Sequence, residues 1–232
     1  MNLSKKHIDL VKRNLVLIIF VFIEAILYAS FLYFDFVDTK ISEYIKYASI
    51  LTCFLASIYA TWKKRTICSV FTALAILFTC ISDYFLLLSH DNNLFYIGIF
   101  TFFIAQIFYA LILNKRSEQK KLALDLTLRV SLTVILLIVS ISIKLDALTT
   151  CALIYFIELF INFVMTLVHS KSDKRNLILA VAFFLFILCD INVALNNLSI
   201  DDPNFTFAIY FMMWLFYLPS QVILSMNSYF LE

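Results

Sequence analysis

At 232 residues, 63% hydrophobic and 15% charged, with a mean hydropathy of +0.94, the chain is far more apolar than a soluble domain. A formal charge of +2, with most basic residues in short clusters, argues against a nucleic-acid-binding protein. One glycine, two prolines and apolar runs of about 20 residues exclude a transmembrane barrel and leave an all-α polytopic membrane helix bundle, a single domain over residues 1–232.

Eight transmembrane helices are expected, at roughly 15–34, 41–61, 66–88, 93–113, 123–143, 146–168, 176–197 and 204–227. The first carries Glu24 near its middle. Its apolar run is too long for a signal-peptide core, and no small-x-small site follows it, so a retained helix is expected. The second has Glu43 and Lys46 inside its outer end. The third, within the run Ser69–Ser89, carries Asp83. His90 follows it by seven residues and reads as an ordinary interfacial histidine. The fourth contains Gly98, Gln106 and Tyr109. On the fifth, Asp125 and Arg129 are four apart, share a face and can pair. The sixth holds Tyr155 and Glu158, the seventh Asp190, and the eighth Tyr217 and Gln221. The five cysteines stand at no metal-ligand spacing and read as small apolar residues.

Charge fits eight spans. The N-terminus and the loops after the second, fourth and sixth spans hold 14 of the 18 Lys and Arg, all on one side. The other side has Lys40, Lys46 and Lys144 with Asp35, Asp38, Asp91, Asp146, Asp201 and Asp202. The positive-inside rule then puts both termini in the cytoplasm, in a plasma membrane of bacterial type, with acidic connectors facing out.

Asp83 and Asp190 lie in runs that resemble each other. Cys80–Asp83 aligns with Ile187–Asp190, a polar link follows each, and then comes a helix with a buried glutamine, Gln106 or Gln221. Spans 3–4 thus match spans 7–8 in one orientation, the pattern of a parallel 4+4 repeat. At about 1.5 Å per residue, Asp83 is roughly 25 Å and Asp190 roughly 20 Å from the cytoplasmic side. A carboxylate in hydrocarbon costs at least about 2.5 kcal/mol, so each either joins helices through hydrogen bonds or serves chemistry in a polar cavity. Two at similar depth are expected to face one shared cavity. Gln106, Tyr109, Tyr217 and Gln221 either line that site or bond between helices. Glu24 and Glu158 are either cavity residues or partners of Lys46 and other polar groups.

Three histidines, two of them at the cytoplasmic edge, cannot build an intramembrane zinc site. One glycine cannot supply a Gly-x-Ser-x-Gly elbow. No nucleotide loop is present, and no cofactor is expected.

The stretch Ser82-Asp83-Tyr84-Phe85-Leu86-Leu87-Leu88, then Gly98, then Gln106-Ile107-Phe108-Tyr109, resembles the YhhN family of integral membrane proteins, which includes lysoplasmalogenases. So do Cys189-Asp190 and Tyr217-Leu218-Pro219-Ser220-Gln221, with Lys46 and Tyr155 matching a family lysine and tyrosine. Two positions depart: Gln106 stands where the family has histidine, and Ser82 where it has glycine before the first aspartate. Glutamine hydrogen-bonds but carries no proton at neutral pH.

The resemblance implies a lysoplasmalogenase-like hydrolase acting on a membrane lipid or lysophospholipid, with Asp83 and Asp190 as the acid and base in vinyl ether cleavage. Lys46, Tyr155, Tyr217, Gln221, Gln106 and Tyr109 would line the site. Two alternatives remain at this stage. One is a proton-coupled transporter or lipid-handling protein using the same acids. The other is a non-catalytic family member, which Gln106 keeps open. The oligomeric state is open too.

Overall fold

A computed structural model describes residues 2–89, 94–115, 119–171, 173–174, 176–197 and 202–230; side chains of residues 2–14, 119–121, 228 and 230 are outside that description. His90 and Asp91 in the third connector, and Asp201 in the seventh, lie outside the described residues.

The described chain is all-α. Eight long helices run in order: α1 (Asn2–Val37), α2 (Thr39–Lys64), α3 (Ile67–Asp83), α4 (Phe95–Lys115), α5 (Gln119–Ser142), α6 (Ala147–Ser170), α7 (Asn176–Asn196) and α8 (Pro203–Ser225). A single turn, α9 (Asn227–Phe230), follows. The expected boundaries and the observed ones agree to about a turn, except that α1 begins at Asn2 rather than near residue 15. Among the described residues, seven helices are long and apolar enough to cross a membrane, which fits an integral membrane protein; α2 is the exception among the eight long helices. Its inner face carries Ser42, Lys46, Ser49 and Ser57, all buried, so its polarity is spent inside the bundle.

The connectors are short because caps end the helices sharply. One residue, Asp38, separates α1 from α2, and its carboxylate accepts from the Lys40 and Ile41 amides. Asp146 caps α6 and Asp202 caps α8, with Pro203 in the first turn. The Thr149 hydroxyl and amide both donate to Asp146, and they hold its carboxyl below the usual range. Three of the acidic connector residues therefore have a capping role besides any topological one. At the other end, Arg65 takes a left-handed conformation (φ 53°) to close α2, and Thr66 caps α3.

Six helices close into a ring. α2 packs on α3, α3 on α4, α4 on α6, α6 on α7, α7 on α8, and α8 back on α2. α1 lies outside, against α2 and the edge of α8, and α5 lies outside, chiefly against α6. The largest apolar core fills the ring, with Ile50, Ile76, Phe102, Leu159, Phe183, Phe186 and Leu218 at its centre. Two irregularities fall on ring helices. α3 passes at Asp83 into a π-helical turn, Tyr84–Leu88, and α8 contains Pro219. Gly98 of α4 lies where α3 comes closest: a Cβ there would meet Leu86 at 2.6 Å. The Ser82 hydroxyl donates to the Gly98 carbonyl at 2.5 Å across the same seam.

Candidate functional site

Asp83 is the last residue of α3 before the π turn, buried in the ring. Its Oδ2 accepts from the Tyr217 hydroxyl of α8 at 2.7 Å, a bond that spans 134 residues of sequence. π turns inserted in α-helices concentrate at functional positions, because the extra residue re-aims a side chain. Here the re-aimed stretch begins at the carboxylate.

Asp190 sits on α7 next to the Tyr155 hydroxyl of α6, and the two interact. Among the described residues, neither that hydroxyl nor Asp190 Oδ2 closes a well-formed hydrogen bond, and both atoms are shielded from solvent. Asp83 also acts electrostatically on Tyr155 and on Cys189, so the two halves of the site share an environment.

Aromatic rings join them. Phe102 of α4 stacks on Tyr155 (5.7 Å) and stands edge-on to Tyr217 (6.2 Å). Phe186 of α7 meets Tyr217 at 5.4 Å and Tyr155 at 6.5 Å. Each carboxylate thus has one tyrosine beside it, and the two tyrosines flank one phenylalanine pair. The negative faces of such rings can steady a cation that forms between the acids.

Lys46 reaches this cluster through Trp214. Its ammonium lies over the rings of Tyr210 (4.4 Å), Trp214 (5.0 Å) and Phe31 (5.1 Å), and the Trp214 ring meets Tyr217 at 5.3 Å. Its ion-pair partner is Asp35, 2.6 Å away, and Ser42 donates to the same carboxylate oxygen at 2.5 Å. This corrects the reading of Asp35 as an outward-facing connector acid: it is buried, because the tight turn at Asp38 folds the end of α1 back onto α2.

The other intramembrane acids lie elsewhere. Glu24 occupies the seam of α1 and α2, where it accepts from Ser49 (2.6 Å) and Thr52; it does not pair with Lys46. Glu158 occupies the α5–α6 seam, where it binds Arg129. Arg129 also pairs with Asp125 (3.0 Å), as the i,i+4 spacing predicts, and donates to Asn162 (2.8 Å). Asn162 in turn donates to the side chain and backbone carbonyls of Gln106, both at 3.0 Å. The glutamine is therefore tied to a buried ionic network on the side of the ring away from Tyr217.

Tyr109 stands edge-on to Phe183 (5.5 Å), and neither its hydroxyl nor either amide atom of Gln221 has a partner among the described residues. The sequence thus named the four residues that carry the carboxylate cluster. It missed Asp35, Asn162 and the ring pair Phe102–Phe186, which look like ordinary span residues until packing gives them neighbours.

The family model that matches is that of the YhhN family, over residues 41–227. That stretch takes in every residue of the cluster except the α1 residues Phe31 and Asp35. No curated protein and no solved structure matches the chain.

Proposed function

The chain belongs to the YhhN family, and from that premise we propose that it is a lysoplasmalogenase-like membrane hydrolase, with Asp83 and Asp190 cleaving the vinyl ether bond of lysoplasmalogen. The observation that carries the reading is the pair of shielded carboxylates, each beside a tyrosine, around the Phe102–Phe186 pair. One carboxyl gives its proton to the alkene carbon distal to the oxygen. The double-bond electrons form the new C–H bond and leave an oxocarbenium ion. Water adds to the cationic carbon while the other carboxylate takes the proton. The hemiacetal then collapses: the first carboxylate takes the hydroxyl proton, the C–O bond to glycerol breaks, and the second carboxyl gives its proton to the leaving oxygen, which releases a fatty aldehyde and the glycerophospholipid alcohol and restores both acids. Both acids work as a general acid–base pair, and the rings hold the cation out of bulk water. An apolar interior suits a single long alkenyl chain.

The reading includes eight spans with both termini in the cytoplasm, in a bacterial plasma membrane. The place of α2 in the ring supports the eighth span. A 4+4 parallel repeat is supported by the order of packing: α1–α2–α3–α4–α6 corresponds to α5–α6–α7–α8–α2. That correspondence sets Asp83 on α3 against Asp190 on α7.

A proton-coupled transporter is the second reading, and the π turn at Asp83 favours it, since irregular helices serve moving sites. The experiment is to incubate purified protein with lysoplasmalogen and follow aldehyde release. Release supports the hydrolase; its absence, with proton-coupled uptake in vesicles, supports the transporter. Absence of both leaves the non-catalytic member.

A further inference from the structure

One turn nearer the cytoplasm than the carboxylate site, three ring helices present polar groups from the same faces that build it. On α8, Gln221 follows Tyr217 by four residues, so both point the same way. On α3, Cys80 precedes Asp83 by three. On α4, Tyr109 lies two turns beyond Phe102 and interacts with Cys80 and with Cys53 of α2. Cys53 also contacts Ser225, the next residue of the Gln221 face.

The Cys80 thiol donates to the Ile50 carbonyl and the Cys53 thiol to Glu24, whereas Gln221 and Tyr109 stay without hydrogen-bond partners. Among the described residues, Gln221 is wholly buried with both its Oε1 and its Nε2 unpartnered, and the Tyr109 hydroxyl is unpartnered at 2% exposure. Two acids come near: Glu24, on the far side of Cys53, whose oxygens already accept from Ser49, Thr52 and Cys53, and Asp83, one turn from Cys80, which already accepts from Tyr217. Buried polar atoms in native proteins are paired with protein, water or ligand, because an unpaired one forfeits its solvation. Three such atoms on two side chains, linked through Cys53 and Ser225, therefore mark a place occupied by something outside the chain. Its chemistry follows from what is offered: one amide donor, one amide acceptor and one phenol that does either, with no free charge. A phosphate would lack a cation there, and an ammonium would lack a free carboxylate.

We propose that this chamber binds neutral O–H groups, with Gln221 and Tyr109 as the binding residues. The occupant is water or the alcohol of a glycerolipid, which share that chemistry. The chamber stands independently of what Asp83 and Asp190 catalyse; if they hydrolyse, it stores the attacking water or seats the glycerol hydroxyl one turn below them.

Radiolytic hydroxyl-radical footprinting of the full-length protein in detergent tests this without any turnover, since radicals made from bound water oxidise the side chains around it. Met165 serves as the dry control: it is equally buried, lies in an apolar cluster with Leu113 and Ile161, and is intrinsically more reactive than tyrosine. Tyr109 and Cys80 should oxidise many-fold faster than Met165. Gln221→Met, which keeps the shape and removes both hydrogen-bonding atoms, should cut Tyr109 oxidation several-fold. Tyr109→Phe should do the same to Cys80, should the first variant not fold. Adding a 1-O-alkyl lysophospholipid, which has the glycerol hydroxyl but no vinyl ether, separates the sources. Protection of Tyr109 assigns the place to the lipid alcohol, and unchanged labelling assigns it to water. Oxidation of Tyr109 and Cys80 no faster than that of Met165 overturns the proposal.

Discussion

Removing the Tyr217 hydroxyl isolates the bond that joins α3 to α8 at the candidate site. Tyr217→Phe keeps the ring and its contacts with Phe102, Phe186 and Trp214, and deletes only the donor that lies 2.7 Å from Asp83 Oδ2. A hydrogen bond to a charged group contributes about 1.5–3 kcal/mol in water-soluble proteins. Between membrane helices the measured coupling averages about 0.6 and reaches about 1.7 kcal/mol, because the unfolded chain in the membrane finds other partners. Full burial, short length and a carboxylate acceptor place this bond toward the upper end, at about 1–2 kcal/mol. On a chain of this size that corresponds to a fall in Tm of roughly 2–8 °C. The same substitution made on top of Asp83→Leu, which removes the acceptor, should lower Tm by less than half as much. The assay is thermal unfolding in detergent of the wild type, the two single variants and the double variant. Equal shifts from Tyr217→Phe in both backgrounds would refute the bond as the link between these helices.

Other outcomes follow from the packing. Lys46→Met leaves Asp35 buried without its cation and should destabilise by about 3–5 kcal/mol, whereas Lys46→Met with Asp35→Leu should recover most of that loss in the same unfolding assay. Gly98→Ala sets a methyl 2.6 Å from Leu86; overpacking of about 1–3 kcal/mol should outweigh a helix-propensity gain of about 1 kcal/mol, and Leu86→Ala should reverse the sign. Gln106→His should leave aldehyde release unchanged or raise it, because an imidazole nitrogen can still accept from Asn162 and the ring titrates near neutrality. Gln106→Leu should lower Tm, by leaving the Asn162 amide with one acceptor fewer.

Helix positions were legible in the sequence because seven of the eight long helices are long apolar runs separated by short polar connectors. Even the acidic connectors had local meaning, since Asp38, Asp146 and Asp202 are caps. The polarity of α2 was legible as Glu43 and Lys46, but not its cause, which is a helix whose serines and lysine are buried against its neighbours, with Ser42, Lys46 and Ser49 bonded to acids of α1. Asp83 and Asp190 could be found because an acid in an apolar run is costly wherever it points. Tyr217 and Tyr155 were found through a family pattern, whereas their grouping around Phe102 and Phe186 depends on four helices and has no one-dimensional signature. Asp35 was misread because a carboxylate at a helix end is usually solvated. Its partner lies eleven residues away across a one-residue turn, and the clue was Lys46, a cation inside a span in need of an acid. Asn162 carried no signal at all: an asparagine among apolar residues gives no hint that it links Arg129 to Gln106.

The central claim is that Asp83 and Asp190 work as one acid–base unit, and the direct measurement is aldehyde release from lysoplasmalogen per folded protein. Wild type, Asp83→Asn, Asp190→Asn and the double variant are compared, with folding checked by size-exclusion chromatography. Each single change keeps size but removes the titrating proton, so each should cost at least about 100-fold, the lower bound for general acid–base catalysis. Residues that act as a unit lose their joint contribution at the first deletion, so the double variant should be little slower than either single one. Wild-type rates in both Asp→Asn variants, or losses that multiply in the double variant, would contradict the account.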